Sequence, residues 1–268
     1  MDRPEWAPEG LDADRPSAAR IYDYLLGGFH NFEVDRAVAR QAMAAMPDVV
    51  TQAQANRAFL HRSVRYLVGA GVRQFLDLGS GIPTLGNVHE IAQAVDPDAR
   101  VVYVDIDAIA VEHSRQILNG VPGTAVLQQD MRNPEAILAD PELTAVVDLS
   151  QPVAVILIAV LHAVPDSDDP AGVVARYRDA LAPGSYLVIA HGSHEGRAEE
   201  AEKLVEVSRR TPTPLTLRGR AEVGAFFDGF DLVEPGITFA PSWRPETPED
   251  AGEHPERSGN IAGVGRKR

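Results

Sequence analysis

Two hydrophobic rhythms divide the chain. Up to Val68 the apolar residues follow helical spacing. Ser17 is placed to cap a helix through Arg20, Ile21, Tyr24 and Leu25 that stops at Gly27-Gly28, and Val34–Met46 is alanine-rich and closed by Pro47. Ala53–Val68 includes the three- and four-residue spacings Ala55 to Phe59, Val64 to Leu67 and Val64 to Val68, a helix with one buried face. From Val72 onward short apolar runs alternate with longer helical stretches. The runs predict strands at Gln74–Leu78, Val101–Asp105, Ala125–Gln128, Val153–Ala159, Tyr186–Ala190, Leu232–Phe239 and Asn260–Gly265. Helices are predicted at Gly86–Val95, Ile109–Leu118, Pro134–Leu138 and Gly172–Leu181, between the first five strands. This alternation predicts an α/β fold: a parallel, doubly wound sheet with right-handed crossovers, preceded by a helical cap at the N-terminus. The expected domains are a cap, residues 1–70, and a ligand-binding part, residues 71–268. The first twelve residues are expected to fray, and Ala240–Gly259, rich in Pro, Glu and Gly, to be a surface excursion.

Composition narrows the chemistry. The 268 residues contain no cysteine, which excludes disulfides, zinc–thiolate sites, iron–sulfur clusters and thiol nucleophiles. A formal charge of −14 argues against a surface that tracks nucleic-acid phosphates. The longest apolar run, Val153–Leu161, has nine residues against the roughly 20 a membrane helix needs. Met1–Gly10 lacks the apolar core of a signal peptide, so a soluble cytoplasmic protein is expected, with its oligomeric state left open.

The most informative stretch is Phe75-Leu76-Asp77-Leu78-Gly79-Ser80-Gly81-Ile82-Pro83-Thr84. An apolar strand ends in an acid and then in two glycines, which let the backbone turn sharply and approach a ligand without a Cβ in the way. The plain alternative is a tight strand–helix turn. The next strand ends in Asp105, 24 residues after Gly81, the placement of an acid that binds ribose hydroxyls. Asp107 reads as a second ribose acid or as a helix cap. A dinucleotide fingerprint would need glycine where Thr84 stands, and Pro83 has no amide to offer a pyrophosphate. Asp77 before the glycines would sit badly beside phosphates and suits a cationic ligand: adenosine joined to a sulfonium amino acid.

With these motifs the chain resembles the class I S-adenosylmethionine-dependent methyltransferases, and in particular the actinobacterial DUF574 family. The likeness runs from Arg15 to Arg268 through RPSAARIYDYLLGGFHNFEVDR, ANRAFLHRSVRYL, FLDLGSGIPTLGNVHE, VVYVDIDAIAVEHSR, VLQQDMRNPEAIL, VAVILIAVLHAVPD, LAPGSYLVIAH, DLVEPGI and NIAGVGRK. It implies a seven-stranded sheet, its last strand antiparallel beside the fifth, and S-adenosylmethionine as cofactor. It also implies roles: Asp77, Gly79 and Gly81 under the amino-acid end, Asp105 on the ribose, Ile106 against the adenine, Asp130 at the adenine amine, Met131 beside the ring, and Ala159 to His162, including Leu161, along the methionyl part. Pro83 departs from the third glycine of many methyltransferases.

Read from the residues alone, Asp130 ends a short strand on the same edge or caps the turn before Pro134, and Met131 is core or ring neighbour. Arg20, Tyr22 and Arg57 are cofactor candidates from the cap, an arginine there being suited to a carboxylate; the alternative is solvent-facing charge. His162, just after the fourth strand, is a candidate general base or a structural histidine. His191, His194 and Glu195 on a Gly-Ser turn are too weak a set to predict a metal. The absence of cysteine removes the covalent route to cytosine methylation, and Ala159-Val160-Leu161-His162 stands where amino-methylating DNA enzymes carry an Asn/Asp-Pro-Pro-aromatic motif. The expected function is direct methyl transfer to a small-molecule acceptor, with no nucleic acid and no membrane. Two other readings are a non-catalytic S-adenosylmethionine-binding regulatory module and an NAD-dependent oxidoreductase.

Overall fold

The computed structural model describes residues 14–83 and 86–268; the predicted fraying of the first twelve residues and the position of Thr84 lie outside them. Three helices come first: α1 (Ala18–Leu25), α2 (Glu33–Ala45) and α3 (Val49–Gly69). Then β1 (Gln74–Leu78), α4 (Val88–Val95), β2 (Arg100–Asp105), α5 (Ala108–Ile117) and β3 (Thr124–Gln128) build the first half of the sheet. The second half continues with α6 (Pro134–Leu138), α7 (Pro141–Val146), β4 (Ala154–Ile158), α8 (Pro170–Ala180), β5 (Tyr186–Gly192), α9 (Ala198–Ser208) and α10 (Arg220–Ala225). It closes with β6 (Phe230–Leu232), β7 (Thr238–Phe239), α11 (Pro248–Ala251) and β8 (Asn260–Lys267).

The strand order is β3-β2-β1-β4-β5-β8-β6, with β7 also paired to β8. The first five strands are parallel, and β8 runs antiparallel between β5 and β6. The chain moves outward from β1 to β3 and then returns to β4 on the other side of β1. That reversal opens a crevice at the carboxyl ends of β1 and β4, where open α/β sheets bind ligands.

Period-two alternation distributes the core. Phe75, Val101, Tyr103, Ile156 and Val188 face one layer with Phe59, Leu67 and Val88, whereas Leu76, Val102, Leu157 and Ile189 face the other with Val173 and Tyr177. Asp77 shares the face of Phe75, toward the side that carries α3. A third apolar cluster, Leu25, Ala39, Met46, Val49, Ala53 and Ala201, joins the cap helices to α9.

Three expectations are corrected. The predicted strand at Leu232–Phe239 is two short strands, which makes the sheet eight-stranded; Pro235 cannot donate to a ladder, and Gly236 turns the chain with its amide on Val233 O at 2.8 Å. Helix α3 begins at Val49 rather than Ala53. The stretch from Ala240 to Gly259 is not merely a surface excursion, because Ala240 and Trp243 are completely buried. Trp243 packs edge-on to Phe59, and Arg62 donates to the carbonyls of Trp243 (2.9 Å) and Ala240 (2.7 Å). Among the described residues no helix is long and apolar enough to cross a membrane.

Candidate active site

The β1–α4 turn is built from its backbone. Gly79 and Gly81 both have positive φ (70° and 68°), a conformation that favours glycine. A Cβ on Gly79 would lie 2.2 Å from Val160 Cγ2, so the turn can lie against the end of β4 only without one. Gly79→Ala is expected to lower stability by about 2 kcal/mol, read from a denaturant midpoint. The amides of Gly79 (2.7 Å) and Ser80 (3.2 Å) donate to Val104 O, and that of Gly81 donates to Asp105 Oδ2 at 2.7 Å. All three amides are therefore committed to β2, and the turn has none of them to offer a pyrophosphate.

Asp105 is buried, and its other oxygen accepts from Asp107 N at 2.8 Å. Burial raises its pKa to about 6 against the opposing pull of those backbone N–H groups. Asp107 caps α5 through Ile109 N (2.8 Å) and Ala110 N (3.1 Å), the capping alternative of the sequence. It also accepts from Ser17 Oγ at 2.5 Å and lies 3.6 Å from Arg20 Nη1. Arg20 is itself buried, its Nε 2.7 Å from Asp35 Oδ2. Arg20 is thus no solvent-facing charge: it ties α1 to α2 and to the turn that follows Asp105. Asp35, which sequence reasoning missed, reveals itself only through this tertiary pair.

Asp77 pairs in register with Tyr103. Its carboxyl group makes no hydrogen bond among the described residues, and burial, reinforced by Asp105 and opposed by Arg57, pushes its pKa up to about 7. A cleft beside it is lined by Arg57, Ser80, Gly81, Asn87 and Tyr103. Half-buried Arg57 donates to Gly86 O at 3.1 Å. Tyr22 Oη donates to Ala53 O at 3.1 Å, and burial raises its pKa to about 12. Among the described residues Ser80 Oγ, in the lining of that cleft, and Asn56 Oδ1, on α3, are buried without a hydrogen-bond partner. A buried hydroxyl left unpaired at a strand-end crevice, as Ser80 Oγ is among the described residues, calls for a polar ligand.

The adenine side is more open. Ile106 is 59% exposed beside the ribose acid, an apolar surface that a ring would cover. Asp130 stands beyond β3 and is held by Arg132 (Nη2–Oδ2 2.6 Å), which also reaches Asp168. That pairing holds the Asp130 carboxyl below the usual carboxylate range. Met131 is buried, and its carbonyl accepts from Tyr177 Oη at 2.9 Å. Across the crevice Ala159 has φ 57°, unusual for a residue with a Cβ, and Leu161 is fully buried.

His162 is partly buried after β4, and its Nδ1 accepts the Gly192 amide at 3.2 Å. Loss of hydration, and secondarily the Arg218 charge, lowers its pKa to about 4. His191 is buried against Arg218, and exposed His194 lies 4.0 Å from Glu222; among the described residues no group of three His, Asp or Glu side chains is gathered as a metal site would need. Arg218 has no sequence signal, its surroundings Leu217-Arg218-Gly219-Arg220 resembling ordinary polar loop.

The residues present suit S-adenosylmethionine. A buried acid matches its ammonium, the Ser80 hydroxyl and Arg57 match its carboxylate, a second acid matches ribose hydroxyls, and the amides of Gly79, Ser80 and Gly81 are already committed and leave no cradle for phosphate there. The comparisons agree with this chemistry. The sequence model of the S-adenosyl methyltransferase family matches residues 4–268. A candidate methyltransferase from Thermobifida fusca YX is 44% identical, with a TM-score of 0.93, covering 99% of this chain and 100% of that one. A DUF574 family protein from Streptomyces avermitilis MA-4680 is 39% identical, with a TM-score of 0.92, covering 96% and 99%. Human N-acetylserotonin methyltransferase, solved with S-adenosylmethionine, shares the fold at 14% identity and a TM-score of 0.51, covering 94% and 63%. No curated protein matches the chain. The chain belongs to the S-adenosyl methyltransferase family and is an S-adenosylmethionine-dependent methyltransferase on a Rossmann-like sheet.

Proposed function

We propose that the chain methylates a small-molecule acceptor by direct transfer, with the cofactor lying across the carboxyl ends of β3, β2, β1 and β4. The observation that carries this reading is the pair of buried acids, Asp77 without a hydrogen bond among the described residues and Asp105 with both oxygens already oriented by backbone amides. Asp77 takes the ammonium, Arg57 the carboxylate, Asp105 the ribose hydroxyls and Ile106 one face of the adenine. Gly79 and Gly81 keep the floor free of side chains, and Ala159 and Leu161 shape the methionyl wall. Met131 backs the adenine pocket. Tyr22 supports Arg57 from α1, while Arg20 acts at one remove by fixing the turn after Asp105. The division into a cap, residues 1–70, and a cofactor-binding part, residues 71–268, belongs to the same proposal.

When bound, S-adenosylmethionine supplies a methyl group on a positively charged sulfur that leaves as a neutral thioether. The chain's own work is then alignment and exclusion of water. A small acceptor follows from the −14 charge, from the absence of cysteine and from the placement of Leu217, which packs with the cap cluster near His162. The test is calorimetry with S-adenosylmethionine and with NAD, followed by assay of S-adenosylhomocysteine formation with low-mass and macromolecular fractions of cell extract. Binding of S-adenosylmethionine and turnover with the low-mass fraction are expected. Binding of NAD instead, binding without turnover, or turnover confined to macromolecules would overturn the proposal.

Asp130 is expected to matter less than its position suggests, because Arg132 already occupies both of its oxygens. Asp130→Ala should weaken cofactor binding by less than about tenfold, that is under ~1.4 kcal/mol, in the same calorimetric assay.

A further inference from the structure

The carboxyl end of β5, beside β4, is organised by the peptide of Gly192. Its N–H donates to His162 Nδ1 at 3.2 Å. Its carbonyl accepts from His191 Nδ1 at 2.8 Å and from Arg218 N at 3.2 Å. A Cβ here would lie 2.8 Å from Leu217 Cδ2 and 3.2 Å from His162 Nδ1, so glycine is what lets both side chains close on this peptide. Arg218, buried, donates through Nη1 to His191 Nε2 (2.9 Å) and through Nη2 to Val164 O (2.9 Å) and Asp166 Oδ1 (2.5 Å). Thr216 N donates to His162 O at 2.7 Å. His191 is thereby a neutral ring with its proton on Nδ1, wedged between a carbonyl and a guanidinium.

The tautomer of His162 follows from the same bonds. A ring nitrogen that accepts an N–H carries no proton, so in the neutral imidazole the proton sits on Nε2. Among the described residues Nε2 meets no hydrogen-bond partner. The titratable and charged groups around the ring are His191 from β5, 5.8 Å away between centroids, Arg218 from the segment before α10, and Asp166, which faces Arg218. A second proton on His162 would have to displace the Gly192 N–H and stand beside the Arg218 cation.

We propose that His162 meets the acceptor as a fixed hydrogen-bond donor through Nε2, that Arg218 is the positioning residue that keeps it so, and that the acceptor's nucleophilic oxygen is ionised on arrival. The inference rests on the methyl-transfer reading above. An oxygen lone pair of the acceptor forms the new bond to carbon while the carbon–sulfur pair leaves with the thioether, and no proton passes to the chain. A carboxylate or an acidic phenol meets this requirement; an alkyl alcohol or an ammonium does not.

The test uses the full chain labelled with ¹⁵N in its imidazole rings, the His162 signals being assigned by their loss in His162→Gln. Between pH 8 and pH 5 the ring is expected to stay neutral with its proton on Nε2. Arg218→Gln, if folded, should raise the His162 midpoint by about one pH unit, a change that a purely structural arginine would not produce. With S-adenosylhomocysteine present, benzoate should move the Nε2 resonance and benzylamine should leave it in place. A proton on Nδ1, or a wild-type midpoint near the ordinary ~6.5, overturns the donor role even if no Arg218 variant folds. A shift with benzylamine, or with neither probe, overturns the acceptor class. Calorimetry with S-adenosylmethionine on the same samples separates the two levels: failure to bind removes the methyl-transfer reading itself, while intact binding beside a wrong tautomer removes only this inference.

Discussion

Replacing Asp105 by alanine is expected to cost about 100- to 1000-fold in affinity for S-adenosylmethionine, making it one of the two most damaging single changes at the site. Each carboxylate oxygen already accepts one backbone N–H, from Gly81 at 2.7 Å and from Asp107 at 2.8 Å. Those bonds fix the carboxylate plane and leave one lone pair on each oxygen for a ribose hydroxyl. Two charge-assisted hydrogen bonds at ~1.5–3 kcal/mol each, discounted for incomplete independence, give the quoted range. The change also strands two amides, so stability should fall by about 1–2 kcal/mol, which a thermal melt will register without loss of the fold. Asp105→Asn should be milder, because the amide keeps one acceptor but turns an NH₂ toward an N–H. Calorimetric affinity within threefold of wild type in a folded Asp105→Ala chain would remove Asp105 from the site.

The strands were the legible part of the fold because a parallel sheet buried on both faces needs near-continuous apolar runs: Val101–Val104 and Val153–Leu157 are such runs, and Phe75–Leu78 is broken only by Asp77. The antiparallel insertion of β8 beside β5 was legible through resemblance. Helix α9, Ala-Glu-Glu-Ala-Glu-Lys-Leu-Val-Glu-Val-Ser, escaped because only Ala201 of its apolar residues is fully buried, too narrow a stripe to announce a helix. The Pro- and Glu-rich segment after Ala240 hid two core residues because composition averages over positions, whereas one tryptophan can anchor a loop. At the site, the strand-end acids could be read because position along a strand fixes them. The Arg20–Asp35 pair and the Gly192 hub could not, since each is a contact between segments far apart in the chain. His162 shows the division clearly. Its place after β4 is in the sequence, but its tautomer depends on a peptide 30 residues away.

Asp77→Asn is expected to stabilise the ligand-free chain and at the same time to weaken its hold on the cofactor. Burial raises the Asp77 pKa from 3.8 to about 7, so between those values the folded chain holds a proton that the unfolded chain has lost. Where the folded state binds more protons, stability falls as pH rises; the loss attributable to Asp77 therefore begins near pH 4 and is complete once pH exceeds about 7. An amide has no such proton to lose. The variant should match wild type in stability near pH 4 and exceed it by about 1–3 kcal/mol at pH 8, measured by urea denaturation at both pH values. Affinity runs the other way. Only the ionised carboxylate meets an ammonium with full charge, so wild-type affinity for S-adenosylmethionine should rise as pH passes through about 7, with net proton release on binding near pH 6. Asp77→Asn should lack that rise and bind about 100-fold more weakly at pH 8, a loss of ~2.7 kcal/mol. Calorimetry in two buffers of different ionisation enthalpy detects the released proton directly. A variant no more stable than wild type at pH 8, or one that keeps the pH-dependent affinity, would show that the Asp77 carboxylate is satisfied within the protein and is not held in reserve for a cation.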